Sequence, residues 1–115
     1  MTIQDLISQY QVIAGFLNER WPLKDQQQRT FARTMKVVEE LGELSDEILT
    51  SMNLQRNTKI AKFSRENVED EFADVMGSLI LLGIELDIDV EEVMKRKIEF
   101  TRSRFGIPEE QNNQI

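Results

Sequence analysis

Apolar residues recur along this chain at spacings of three and four, the period of an amphipathic helix. Ile3, Leu6, Ile7, Tyr10, Ile13, Ala14 and Leu17 mark a first helix over residues 2–19, ended by Trp21-Pro22. Phe31, Met35, Val38, Leu41, Leu44, Ile48 and Met52 form the stripe of a second, over 26–52. Asn53 and Asn57 bracket a loop. Ser64 is placed to cap a third helix that runs to Leu86, with Glu66 in its first turn, where an acid suits the helix dipole. Asp89 caps a fourth, from Val90 to Arg104, stopped by Gly106-Ile107-Pro108. Nothing alternates with the period of a strand. Four helices with mostly short connections predict an all-α antiparallel four-helix bundle over residues 1–108, with a polar tail at 109–115. The third helix is apolar around most of its circumference, more than a four-helix monomer can cover, so a homo-oligomer is expected.

The exceptions to that apolar surface carry the chemistry. With Val68 set at zero and about 100° per residue, the apolar positions of the third helix fill an arc from roughly 320° through zero to 160°. Glu71, Asp74, Ser78 and Glu85 share a narrow seam between roughly 240° and 300°. An acid in such a seam lies close to apolar packing, where an unpaired carboxylate costs several kcal/mol or takes up a proton. A cation removes that cost. On the second helix, Glu39, Glu40, Glu43 and Glu47 lie opposite the apolar stripe. Taken alone, that is the pattern of a helix with its stripe in the core and its acids in solvent. Yet these acids repel one another at spacings of three and four, and no basic residue occurs from Val37 to Gln55. Gly42 among them costs about 1 kcal/mol of helix stability relative to alanine, which suggests a close approach to the backbone or tighter helix packing.

Composition narrows the candidates. The 115 residues suit one domain, 40% hydrophobic and 30% charged. A net charge of −7 argues against binding a nucleic-acid polymer through its phosphates. Ten of the 21 acids fall in residues 39–47 and 66–74, while residues 56–65 carry Arg56, Lys59, Lys62 and Arg65 and a single-sign charge. The chain has no cysteine and no histidine, which excludes disulfides, thiolate metal sites, imidazole-based catalytic pairs and the Glu-x-x-His ligand sets of di-iron bundles. Carboxylates remain as hard ligands, and they favour Mg²⁺ or Mn²⁺. No signal peptide or membrane span is expected, and a cytoplasmic location fits. Glu40, Glu43, Glu71 and Asp74, paired one turn apart on two antiparallel helices, can meet around such an ion.

Glu39-Glu40-Leu41-Gly42-Glu43-Leu44 followed by Glu71-Phe72-Ala73-Asp74-Val75 resembles the EExxE…ExxD signature of the MazG-like nucleoside triphosphate pyrophosphohydrolases, an all-α superfamily. Arg20-Trp21 is similar to that family's lead-in, residues 82–89 to its "LGIDL" turn, and Lys97 with Arg104-Phe105 to its closing K…RY/F pattern. The resemblance implies Mg²⁺-dependent hydrolysis of a (d)NTP between the α- and β-phosphates, with Mn²⁺ as a substitute, in a homodimer or homotetramer. It implies Glu40, Glu43, Glu71 and Asp74 as metal ligands. Glu39 is implied as a further ligand or as the residue that activates water, and Lys97 and Arg104 as phosphate contacts. Lys36 is placed to reach phosphate or to pair with Glu40, and Trp21 to stack on a base. Ser78 and Thr101 depart from residues common in the family and bear on sugar and base preference. The competing reading is a non-catalytic helical interaction module whose acids bind a basic partner.

Overall fold

The structure, a computed structural model, describes residues 1–52 and 65–109. Four helices account for most of them, α1 (Ile3–Arg20), α2 (Gln26–Ser51), α3 (Arg65–Glu85) and α4 (Val90–Arg104), and the described residues form no strand. The helices pack as a bundle with α3 at its centre: α2 lies against α3 most extensively, and α1 packs on α3 as well.

Local chemistry sets the helix ends. Thr2 and Asp5 form a capping box at α1: the Thr2 hydroxyl accepts from the Asp5 N–H, and the Asp5 carboxylate accepts from the Thr2 N–H. Asp25 caps α2 by accepting from Gln28, and Asp89 caps α4 by accepting from Glu92. The ends of α3 and α4 share one closing motif. Beyond α3, Asp87 takes a left-handed conformation (φ 57°), its N–H bonds Ile84 O, and the Ile88 N–H bonds Gly83 O. Beyond α4, Gly106 (φ 67°) and Ile107 repeat the pattern onto Ser103 and Arg102. The expected cap Ser64, the loop at Asn53 and Asn57, and the basic residues Arg56, Lys59 and Lys62 lie outside the described residues; Arg65 pairs with Glu69 at 3.4 Å.

Among the described residues the buried apolar set is small: Ala14, Leu44 and Ile80, one from each of α1, α2 and α3. Glu40, Thr50 and Ser78 are buried beside them. The two hydroxyls donate within their own helices, to Asp46 O and Val75 O. Leu6, Ile7, Tyr10 and Leu17 of α1 are half-buried, as the sequence pattern anticipates, while Ile3 and Ile13 of the same stripe are exposed. Gly77 is where α1 comes closest to α3. A Cβ added there would stand 2.9 Å from Tyr10 Cζ and 3.0 Å from Tyr10 Cε1.

The second helix corrects the sequence expectation. Of its stripe, only Leu44 is buried; Phe31, Met35, Val38, Leu41, Ile48 and Met52 are exposed. The opposite face meets α3, and it carries Arg29, Arg33, Glu40, Leu44 and Glu47. Polar pairing explains the reversal. Arg29 Nε binds Glu85 Oε1 on α3 at 2.8 Å, and Gln26 Nε2 donates to Glu85 O at 3.2 Å. Arg33 donates to Asn18 Oδ1 on α1 at 2.9 Å. A face built of charges is held inside by partners on the neighbouring helices. Gly42 also departs from expectation, because no atom lies within 4 Å of the place its Cβ would occupy.

Two substitutions test the α1–α3 contact. Gly77→Ala should destabilise the chain by about 1–3 kcal/mol in urea unfolding, through displacement of the Tyr10 ring. In a Tyr10→Ala background the same change should cost under about 0.5 kcal/mol, since the two positions act on one contact.

Candidate metal centre

The α2–α3 contact turns acids from both helices toward each other. Glu40 and Glu43 lie one turn apart on α2, and Glu71 faces them from α3. One carboxylate oxygen from each falls within 4.8 Å of the others. Glu40 is buried, Glu71 half-buried and Glu43 exposed, so the cluster opens to solvent on the Glu43 side. Asp74 stands one turn beyond Glu71 at the exposed rim, outside that close group but near enough to act on Glu71 electrostatically.

The electrostatics are unbalanced. Glu40 Oε2 and Glu71 Oε2 are both buried, and neither has a hydrogen-bond partner. Burial pushes the Glu71 carboxyl above its ordinary value, and Glu43 beside it pushes further, with smaller contributions from Asp74 and Glu40. Among the described residues, the cation at the cluster is Lys36. Its Nζ lies 3.1 Å from Glu40 Oε1 and 3.3 Å from Glu39 Oε1, and the pairing with Glu40 raises the Lys36 pKa above its ordinary value. Glu40 therefore gives one oxygen to Lys36 and keeps the other buried and free. Two orphaned buried carboxylate oxygens in an all-oxygen donor set fit a hard divalent cation.

The remaining candidates are not among the three grouped carboxylates. Glu39 is exposed and paired with Lys36. Lys97 and Arg104 are exposed on α4, where Lys97 Nζ lies 5.1 Å from the Phe100 ring centre and the Arg104 guanidinium 5.6 Å from that of Phe105. Trp21 caps the C-terminus of α1, exposed, with the Arg20 guanidinium 5.5 Å from its ring. The Ser78 hydroxyl is turned to Val75 O in its own helix. Sequence reasoning placed Glu85 in the acidic seam but missed its cation, Arg29. The signal was present: Arg29, Arg33, Glu40 and Leu44 are spaced so that they recur on one side of α2.

The sequence model of the MazG-like family matches residues 33–115, from within α2 through both acidic motifs to the C-terminus. No curated protein and no solved structure matches the chain. No helix among the described residues is long and apolar enough to cross a membrane.

The raised pKa of Glu71 makes stability depend on pH, and a cation at the cluster would offset the cost of its charge. A carboxyl with a raised folded-state pKa binds its proton more tightly folded than unfolded, so folding gains where the group is protonated. That gain is lost as pH rises from the ordinary value of 4.5 through the raised one. In EDTA, the Tm of Glu71→Gln should therefore overtake that of the wild type increasingly as pH rises from 4.5 to neutrality. Mg²⁺ or Mn²⁺ at neutral pH should raise the wild-type Tm and leave the variant nearly unmoved. Differential scanning fluorimetry reads both.

Proposed function

The chain belongs to the MazG-like family, and on that premise we propose that it is a Mg²⁺-dependent nucleoside triphosphate pyrophosphohydrolase that converts a (d)NTP to the (d)NMP and pyrophosphate. The observation that carries this reading is the pair of buried, unpartnered oxygens on Glu40 and Glu71, held with Glu43 in a group of three carboxylates. A surface that recruits a basic protein partner would present its acids outward, whereas Glu40 is only 7% exposed.

Glu40, Glu43 and Glu71 would hold the metal, with Asp74 at the rim. Bound there, Mg²⁺ or Mn²⁺ supplies positive charge that lets a triphosphate approach the acids and makes a water more acidic. The chain's own residues divide the remaining work. Lys36 holds Glu40 by one oxygen and leaves the other for the ion. Glu39, exposed beside it, is the residue to orient the attacking water and take its proton; Glu43, at the open side, is the alternative acceptor. The water oxygen forms the new bond to phosphorus, the α–β anhydride bond breaks, and pyrophosphate leaves with the electron pair. Lys36, Lys97 and Arg104 are the proposed phosphate contacts, and Trp21 the proposed surface for the base. The proposed role is removal of non-canonical or excess nucleotides in the cytoplasm.

With Mg²⁺ and a panel of canonical and modified (d)NTPs, the direct product should be pyrophosphate. Glu43→Gln should lower turnover at least 100-fold while the far-ultraviolet circular dichroism stays helical. Orthophosphate as the first product, or wild-type turnover in that variant, would contradict the assignment.

A further inference from the structure

We propose that Lys36 is the resident counter-ion of the carboxylate cluster: it competes with the divalent ion for Glu40, and that competition sets how much metal the site demands. The proposal deepens the hydrolase reading and rests on it for the consequence in turnover. The competition itself rests on the cluster alone.

Lys36 Nζ lies 3.1 Å from Glu40 Oε1 and 3.3 Å from Glu39 Oε1, so a single ammonium bridges two consecutive carboxylates. The other cations of α2 are committed to neighbouring helices, Arg29 to Glu85 on α3 and Arg33 to Asn18 on α1. No basic residue follows Lys36 in the chain until Arg56. Among the described residues, Lys36 is thus the cation paired with the acids of the cluster. The pairing is partial, because Glu40 Oε2 and Glu71 Oε2 stay buried and unpartnered.

The two oxygens of Glu40 belong to one carboxyl group. An ammonium on the first and a divalent ion on the second therefore repel each other at close range. Burial decides which group yields. The Glu40 side chain is 9% exposed and confined between the helices, whereas that of Lys36 is 51% exposed, on a flexible four-carbon stem that reaches solvent. The ion displaces the ammonium, not the carboxylate, and the freed ammonium can meet a phosphate oxygen. A site weakened in this way takes its ion best together with a triphosphate, whose negative charge offsets the lysine. A bridge that merely held the acids in place would act in the opposite sense, since its loss would slacken the ligands and weaken metal binding. The sign of the change separates the two roles.

Isothermal titration of Mn²⁺ into the metal-free full chain reads that sign, at low ionic strength where the repulsion is least screened. Lys36→Met, similar in length and in helix propensity, should bind Mn²⁺ more tightly than the wild type by roughly threefold or more. Lys36→Arg keeps the charge and should stay within about twofold of the wild type. Lys36→Gln should tighten binding as Lys36→Met does, and it decides the matter if the methionine variant fails to fold. Unchanged or weaker binding in the neutral variants, equal tightening in Lys36→Arg, or no binding in wild type and variants alike would each overturn the proposal. In turnover, the Mg²⁺ concentration for half-maximal pyrophosphate release should fall in Lys36→Met. A wild type that binds Mn²⁺ and releases no pyrophosphate would overturn the hydrolase reading alone, and the titration would still decide this inference. Pyrophosphate release with equal metal affinity in wild type and Lys36→Met would overturn this inference and leave that reading standing.

Discussion

The structure depends on how charge is buried between α2 and α3. These two helices meet through their polar sides, and the contact joins Arg29 to Glu85 near one end and sets Glu40 and Glu43 against Glu71 further along. The Arg29–Glu85 pair is balanced. The carboxylate cluster is not: Lys36 engages one oxygen of Glu40, and the buried oxygens that remain have no donor. Burying a charge without a partner costs several kcal/mol, so a site of this kind persists when it is completed by something from outside. A hard divalent cation would complete it, in keeping with the function proposed for this member of the MazG-like family.

The same arrangement explains the surface. Turning the polar side of α2 inward leaves its apolar stripe outward, and among the described residues only Ala14, Leu44 and Ile80 remain as buried apolar side chains. On α3, Phe72, Met76 and Leu79 are likewise exposed, and no residue of α4 is buried. The described residues thus gain little from apolar burial among themselves. The site and the apolar exterior are thus two results of one choice of facing.

Much of the fold was legible in the sequence because helix ends are local events. The first helix was expected at 2–19 and lies at Ile3–Arg20; the fourth was expected and found from Val90 to Arg104. Thr2, Asp25 and Asp89 cap by bonds to residues three positions away, which need no tertiary information. The burial of Glu71 was legible too, since a narrow polar seam on a mostly apolar helix has little choice of surroundings. The facing of α2 was not. Periodicity shows which side of a helix is apolar, but not whether that side meets its own chain. Only the recurrence of Arg29, Arg33 and Glu40 on the other side hinted at the answer. Asp74 shows a second limit: its spacing from Glu71 puts it on the right turn, yet its place at the rim follows from how deeply α3 sits against α2.

The central claim is that the α2–α3 carboxylates form a divalent-cation site, and isothermal titration of Mg²⁺ or Mn²⁺ into the metal-free chain tests it most directly. The account predicts saturable binding of at least one ion per chain, abolished in Glu40→Gln and in Glu71→Gln. No binding heat in the folded wild type, or affinity unchanged in both variants, would contradict it.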